Sequence, residues 1–329
     1  MRNRREILRL LKGAAALGAL APMASPAQDI KQVKIIYGFP AGSSGDSVAR
    51  RVAEKMSGSG YTRNAAFVEN RPGASGRIAV EVLKNSPPDG SVLALAPVSA
   101  LAVYPYIYTN LSYKPEDVAP VSIGAIIMHG LAVGPMVPRE VKTLEQFLQW
   151  SRQNPDKASF GSPGAGSMPH MLGALLGIRS KVPLHHVAYR GTMPSVTDLV
   201  GGQIAAAINP SGDYLQYVKD GKLRVLATSG RKRSPFFPDV PTFTELGYPD
   251  IVSEEWFGFY APARTPADVI ARANAVITGA LRQRDVIDSF AALGLLAHGS
   301  SPEEMLADQR AELQRWKPLI KEIGFTLDS

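Results

Sequence analysis

The sequence predicts an α/β protein of two domains, the first of which is interrupted by the second. Strand-like and helix-like patterns alternate along most of the 329 residues, a length that can supply two hydrophobic cores. A long β-prone apolar stretch lies at 120–133, and a stretch of the same character returns at 255–261. A chain that leaves the first domain through one stretch and returns through the other divides into 28–130 plus 256–329 and 131–255.

The first domain begins with two strand–loop–helix units and a third strand. Its strands are expected at 33–37, 65–69 and 92–96, and its helices are expected from Asp46 and at 77–84. Val48, Val52 and Met56 recur every four residues and give the first helix one apolar face. We expect Asp46 to be the N-cap of this helix. The alternative is that its carboxylate holds an amine or hydroxyl group of a ligand.

A second set of strands and helices follows between the two apolar stretches. Its strands are expected at 158–160, 184–187, 204–208 and 223–228, and its helices from Met168 and at 193–200. After the chain returns, helices are expected at 266–283, 285–293 and 302–323. Ser301 as N-cap and Pro302 at the first helical position are typical of a helix start.

Residues 1–27 have the three parts of an export signal: a basic start, a short apolar middle and small residues before a cleavage point after Ala27. Arg4 and Arg5 resemble the twin-arginine pattern, and a general secretory signal with a chance arginine pair is the alternative. The chain has no cysteine, which excludes disulfides, thiolate metal sites and a lipid-modified N-terminal cysteine. Much of the formal net charge of +7 lies in this segment. A soluble periplasmic protein is therefore expected.

Two glycine- and serine-rich loops, each between an apolar strand and a helix, are the best candidates for a binding site. The first covers 39–46 and the second 160–170. Their hydroxyl groups belong to Ser43, Ser44, Ser162 and Ser167. Backbone N–H groups at a helix start favour anions, so two such loops predict a cleft that grips an anion from both sides. The alternative is that each loop is only a tight turn.

Other candidate residues carry weaker signals. Asn209 and Asp213 follow a predicted strand and are candidates for the far end of a ligand, the alternative being turn chemistry. The sequence has no Gly-x-Ser-x-Gly elbow, His-Glu-x-x-His, phosphate loop or dinucleotide fingerprint. We therefore expect no enzyme activity, metal, cofactor or nucleic-acid partner. The enzyme alternative is an exported serine hydrolase in which Ser162 or Ser167 works with His170.

A series of motifs extends along nearly the whole chain after the export signal. They are Phe39-Pro40-Ala41-Gly42 with Asp46, Val68-Glu69-Asn70-Arg71-Pro72-Gly73-Ala74, Gly164-Ala165-Gly166-Ser167 with His170, His186-Val187-Ala188-Tyr189-Arg190-Gly191, Asp198-Leu199-Val200-Gly201-Gly202-Gln203 and Trp256-Phe257-Gly258. In this order they resemble the periplasmic solute receptors of tripartite tricarboxylate transporters, also called Bug receptors.

The resemblance implies a type II periplasmic-binding-protein fold, in which two domains joined by two crossover segments close like a Venus flytrap. It also implies a receptor, expected to be a monomer, that passes a small organic acid to membrane permease subunits. The acid is a mono-, di- or tricarboxylate or an aromatic acid. The expected ligand-binding residues are Phe39, Ser43, Ser44, Gly45, Ser162, Ala165, Gly166, Ser167, Asn209 and Asp213. A sensor that docks on a signalling partner is the alternative role.

The first loop departs from the family pattern at two positions. Gly42 is followed by Ser43, and Gly45 stands where threonine is common in the family. The Ser43 side chain is expected to narrow the pocket or to replace a bridging water. A generic dicarboxylate is therefore not assigned from the resemblance.

Overall fold

Apolar segments of the sequence form ten strands in a computed structural model that describes residues 30–328. The strands are β1 Lys34–Tyr37, β2 Phe67–Asn70, β3 Val92–Pro97, β4 Val118–Val133, β5 Ser159–Ser162, β6 His185–Ala188, β7 Ala206–Pro210, β8 Arg224–Thr228, β9 Glu254–Pro262 and β10 Leu296–Ala297. Most are short and buried, as is typical of α/β proteins whose sheets are covered by helices.

The helices follow the amphipathic segments of the sequence. They are α1 Ser44–Met56, α2 Arg77–Lys84, α3 Ser99–Ala102, α4 Tyr104–Ile107, α5 Leu144–Gln153, α6 Met168–Ser180, α7 Thr192–Val200, α8 Leu215–Lys219, α9 Ala267–Leu281, α10 Arg284–Ala291 and α11 Pro302–Ile323. Short 3-10 turns lie at Ala74–Gly76, Pro115–Asp117, Pro155–Lys157 and Ser211–Tyr214.

The sheet is organised around the long strand β4, which changes partners along its length. The strand order is β2-β1-β3-β9-β4-β7-β5-β6, with β8 and β10 also paired to β4. Residues 118–128 of β4 pair antiparallel with β9, whereas residues 129–133 pair with β7 and β8. We call the part containing β1–β3, β9 and β10 the first lobe and the part containing β5–β8 the second lobe. Strand β4 therefore crosses between the lobes.

Parallel pairing places the two predicted binding loops at equivalent edges. Strand β1 pairs parallel with β2 and β3, and β5 pairs parallel with β6 and β7. The loops that follow β1 and β5 leave the carboxyl ends of these parallel strands, where α/β proteins usually bind ligands.

Three apolar clusters fill the interior. One lies in the first lobe around Ile35, Val48 and Phe259, and a small one lies in the second lobe around Val196 and Tyr214. The largest cluster includes residues of both lobes and the fully buried Trp316 of α11. The C-terminal helix therefore stabilises both lobes by burying apolar surface against them.

Most element predictions are confirmed, and the start of the first helix is corrected. The helices at 77–84 and 302–323 have the predicted bounds, and Ser301 caps α11 by accepting from the N–H of Glu304. Asp46 is not the N-cap of α1, because the helix begins two residues earlier, with Ser43 as its N-cap. Helix α5 was not predicted.

The export-signal prediction for 1–27 lies outside the described residues. Between residues 30 and 328, no helix combines the length and apolar character required to cross a membrane.

Candidate functional site

A cavity lies in the cleft between the two lobes, where the loops after β1 and β5 meet; the empty space here, counting open solvent, is about 710 Å³. It is lined by Tyr37, Phe39, Pro40, Ala41, Ser43, Pro97, Ser99, Tyr104, Ile127, His129, Pro163, Ser167, Met168, Pro169, Gly191, Thr192, Met193, Pro194, Pro210, Glu255 and Phe257. The walls are mainly apolar and aromatic. Within the described range 30–328, no lysine or arginine belongs to this lining. An anion bound here would depend on backbone N–H and hydroxyl groups.

The first loop is held from behind by the carboxylate of Asp46. Asp46 Oδ2 accepts from the N–H of Gly42 at 2.9 Å and from Arg50 Nε at 2.9 Å, and Oδ1 accepts from Asn70 Nδ2 at 2.8 Å. Asn70 Nδ2 also donates to Phe39 O at 3.1 Å. Burial alone would raise the pKa of Asp46, but the hydrogen bonds from Arg50, Gly42 and Asn70 lower it below the ordinary value. The Asp46 carboxylate therefore holds the backbone of the first loop in place through these hydrogen bonds.

The start of α1 keeps its hydrogen-bond donors available. The Ser43 side chain makes no capping hydrogen bond to the helix, and its Oγ donates instead to Pro40 O at 3.1 Å. The first-turn N–H groups of a helix have no acceptor within the helix. The positive end of the α1 dipole therefore lies at the cavity beside Ser43. The Ser43 side chain does not accept from the first N–H groups of the helix.

The second helix start repeats this arrangement. Ser167 is the N-cap of α6 and makes no capping hydrogen bond, because its Oγ donates to Gly164 O at 2.7 Å. The N–H of Gly166 donates to His170 Nδ1 at 3.0 Å, which fixes the loop against the first turn of the helix. Ser167 and Met168 line the cavity. Two helix starts therefore face one cavity from opposite lobes, and α6 offers fewer donors than α1 because Pro169 in its first turn has no N–H.

A stacked histidine pair supports the second loop. The rings of His170 and His186 lie 3.7 Å apart and nearly parallel, and His186 Nε2 lies 2.7 Å from Ser162 Oγ. Burial lowers the pKa of His170 to about 3, with a further contribution from His186, and burial lowers the pKa of His186 to about 4. Both rings are therefore neutral at neutral pH.

The histidine pair predicts a loss of stability in acid. The ordinary histidine pKa is 6.5, so below that pH the unfolded chain takes up protons that the folded protein excludes. The free energy of unfolding is unaffected above pH 6.5 and decreases as the pH falls towards 4 and then 3. Between pH 7 and pH 4, the melting temperature should decrease less for His186→Gln than for the unchanged protein. The exposed neighbour His185 supplies the control, since His185→Gln should follow the unchanged protein. Parallel curves for all three proteins would contradict this role.

Two buried groups, one on β4 and one on β9, form the inner wall of the cavity. His129 on β4 is 1% exposed, Glu255 on β9 is 5% exposed, and His129 Nε2 lies 3.2 Å from Glu255 Oε2. Among residues 30–328, the remaining oxygen, Glu255 Oε1, receives a single long contact of 3.4 Å, from the N–H of Ser99. Sequence reasoning missed this pair, because strand residues on segments far apart in the chain become neighbours only through β4–β9 pairing.

A hydrogen bond between the lobes lies beside this wall. Ser44 Oγ at the start of α1 donates to Asp213 Oδ1 in the second lobe at 2.6 Å. Burial raises the pKa of Asp213 to about 6, against opposing effects of the Ser44 hydrogen bond and of His129. The second oxygen, Asp213 Oδ2, is buried and has no hydrogen-bond partner among the described residues. Asn209 is fully buried and donates to Ser195 Oγ at 3.2 Å.

The structure brings together only part of the predicted ligand-binding set. Phe39, Ser43 and Ser167 line the cavity. Ala165 lines an outer cavity, of about 1180 Å³, that shares Phe39, Pro40, Pro163 and Gly191 with the first and also contains the exposed Arg190. The other six predicted residues are outside the lining of both cavities; they are Ser44, Gly45, Ser162, Gly166, Asn209 and Asp213.

Three of these residues have clear supporting positions instead. A Cβ at Gly45 would lie 2.2 Å from Tyr37 Oη, so glycine is needed where α1 packs on β1. Ser162 is fully buried, and its hydroxyl contacts Gly164 O and His186. Gly166 has a φ of +78°, a left-handed conformation that favours glycine. Across residues 30–328, no group of three or more histidine, cysteine or acidic side chains is placed to hold a metal ion.

The comparison with known proteins decides the family. The sequence model described as "TctC: Tripartite tricarboxylate transporter family receptor" matches residues 48–325. The chain belongs to this receptor family. Protein BugT of Bordetella pertussis is 32% identical to the chain over 315 residues, which are 95% of each sequence.

Two solved structures of this type contain carboxylates. A protein of R. palustris solved with adipate is 26% identical, with a TM-score of 0.83 over 91% of this chain and 99% of that protein. MatC from Rhodopseudomonas palustris, solved with bound malate, is 26% identical, with a TM-score of 0.81 over 88% and 99%. The predicted receptor family and the periplasmic-binding-protein fold are confirmed.

Proposed function

We propose that this receptor captures a small organic carboxylate in the interdomain cleft and delivers it to the permease subunits of a tripartite tricarboxylate-type transporter. The observation that carries this proposal is the pair of helix starts, at Ser43 and Ser167, which face one cavity with uncommitted backbone donors. Adipate and malate in the related structures have the same chemistry. Export by residues 1–27 and action as a periplasmic monomer are parts of the same proposal.

The proposed closing motion uses β4 and the start of β9 as its hinge. The domain bounds 28–130 plus 256–329 and 131–255 agree with the change of β4 partners after Met128 and with the start of β9 at Glu254. Contacts between the lobes support a closed state: Ser44 with Asp213, and Ser75 Oγ donating to Ala165 O at 3.0 Å. A ligand that contacts both lobes favours the closed state over the open one.

A binding role agrees better with the second loop than hydrolysis does. Members of this family are solute-binding receptors. Ser162 is fully buried, whereas a nucleophile must reach its substrate. His170 Nδ1 accepts from the N–H of Gly166, and Ser162 Oγ contacts His186 and not His170. We propose that the protein has no catalytic role.

Thermal shift followed by calorimetry tests this function. The purified protein is mixed with mono-, di- and tricarboxylates, both linear and aromatic, and with the neutral amide of each acid as its control. We expect at least one acid to raise the melting temperature and to bind with defined stoichiometry, and its amide to have little effect because the helix starts favour charge. Equal stabilisation by acids and amides, or no stabilisation by any acid, would contradict the proposal.

A further inference from the structure

The inner wall of the cleft has hydrogen-bond acceptors and few donors. Glu255 and His129 both line the cavity and are almost completely buried. A carboxylate accepts about four hydrogen bonds. Glu255 has His129 Nε2 at 3.2 Å and the long contact from Ser99, so it retains acceptor capacity towards the cavity.

His129 adds a second acceptor to the same wall. If Nε2 carries the proton that faces Glu255, Nδ1 carries a lone pair. His129 Nδ1 is buried and has no hydrogen-bond partner among the described residues. Behind the wall, Asn209 Oδ1 and Asp213 Oδ2 are also buried oxygen atoms without a donor in the described range. A buried acceptor without a donor destabilises its surroundings, so this region is suited to a ligand that supplies donors.

Two parts of the cavity lining therefore favour opposite charges. The helix starts offer donors to an anion, and the inner wall offers the Glu255 carboxylate to a donor. A second ligand carboxylate at Glu255 would meet like charge without a lysine or arginine in the described lining. A protonated nitrogen would form a charge-assisted hydrogen bond with Glu255.

We propose that the receptor selects apolar carboxylates that also carry a protonated nitrogen, and that Glu255 determines this selectivity. This inference rests on the proposed function. The apolar character follows from the rest of the cavity lining, which includes Phe39, Tyr104, Ile127, Met168 and Phe257. Such a ligand buries its hydrocarbon part while its charged ends are each paired.

Two matched series of compounds test the selectivity by calorimetry. The linear series is adipate, 6-aminohexanoate and hexanoate, and the aromatic series is terephthalate, 4-(aminomethyl)benzoate and 4-methylbenzoate. We expect the ammonium member of at least one series to bind about tenfold or more tightly than its dicarboxylate, as a charge-assisted hydrogen bond predicts. Dicarboxylates that bind as tightly as, or more tightly than, the ammonium members in both series would overturn the inference and leave the carboxylate receptor intact. No binding by any of the six, together with no response in the wider acid panel, would contradict the receptor function itself.

Substitutions at Glu255 connect the selectivity to this side chain. Glu255→Gln should remove the preference for the ammonium member, whereas Glu255→Asp, which keeps the charge, should retain part of it. Glu254→Gln is the matched control, because Glu254 is adjacent in the chain but lies outside the cleft lining and accepts from the N–H of Arg231. Melting temperatures of the ligand-free variants show whether each one folds. An unchanged preference in folded Glu255→Gln, or its complete loss in Glu254→Gln, would overturn the assignment.

Discussion

Replacing Ser44 by proline should weaken binding of the carboxylate about 10- to 100-fold while α1 remains intact. Ser44 is the first residue of α1, a position at which proline fits a helix, and Ser43 has the extended conformation that suits a residue before proline. The substitution removes a backbone N–H beside the cavity. A hydrogen bond to a charged group has an energy that corresponds to this range of affinity.

Ser44→Ala is the control for this substitution. Both variants lose the hydrogen bond from Ser44 Oγ to Asp213, but the alanine variant keeps its backbone N–H. We therefore expect alanine to have a smaller effect than proline on the dissociation constant measured by calorimetry. Equal affinities for the two variants would show that this N–H does not hold the anion. Circular dichroism checks that the helix content is unchanged.

Replacing Gly212 by alanine should prevent the lobes from closing fully. Gly212 lies in the second lobe, and a Cβ built on it would be 1.8 Å from the carbonyl oxygen of Leu293 in the first lobe. Because the obstacle is backbone, a change of side-chain rotamer cannot relieve the overlap. We expect ligand affinity to fall by about tenfold or more, since a ligand that stabilises the closed state must then overcome the clash.

Gly279→Ala is the matched control for Gly212→Ala. Gly279 lies on an exposed face of α9, and a Cβ there meets nothing within 4 Å. Alanine is favoured over glycine inside a helix, so this control should leave affinity unchanged and stability equal or slightly higher. Small-angle scattering with and without ligand measures closure. A Gly212→Ala protein that binds and compacts like the unchanged protein would contradict the closing motion.

Local patterns were sufficient to predict most strands and helices. The four-residue spacing of Val48, Val52 and Met56 and the capping residues before α11 depend on neighbours in the chain, which sequence reasoning can evaluate. The predicted start of α1 at Asp46 was wrong. Asp46 lies inside the first turn of the helix, and its carboxylate accepts from the N–H of Gly42, which precedes the helix. An acidic residue near a helix start can be the N-cap or a member of the first turn, and only the geometry of the preceding loop distinguishes these two positions.

The candidate site was predicted in its loops but not in its inner wall. Glycine, serine and the following helix mark an anion-binding loop locally, so Ser43 and Ser167 were found. Glu255 and His129 carry no local signal, because they lie on segments far apart in the chain and become neighbours only when β4 and β9 pair. For the same reason, the contact between Ser162 and His186 was not predicted: the two residues become neighbours only through the parallel pairing of β5 and β6.

We expect two helix starts, one from each lobe, to hold a carboxylate in the cleft. A crystal structure of the protein with the acid that gives the largest thermal shift measures this directly. Carboxylate oxygens should lie within hydrogen-bonding distance, about 3 Å, of backbone nitrogen atoms at the starts of α1 and α6, directly or through one water molecule. A carboxylate held instead by Arg190 in the outer cavity, with the helix starts in contact only with solvent, would contradict it.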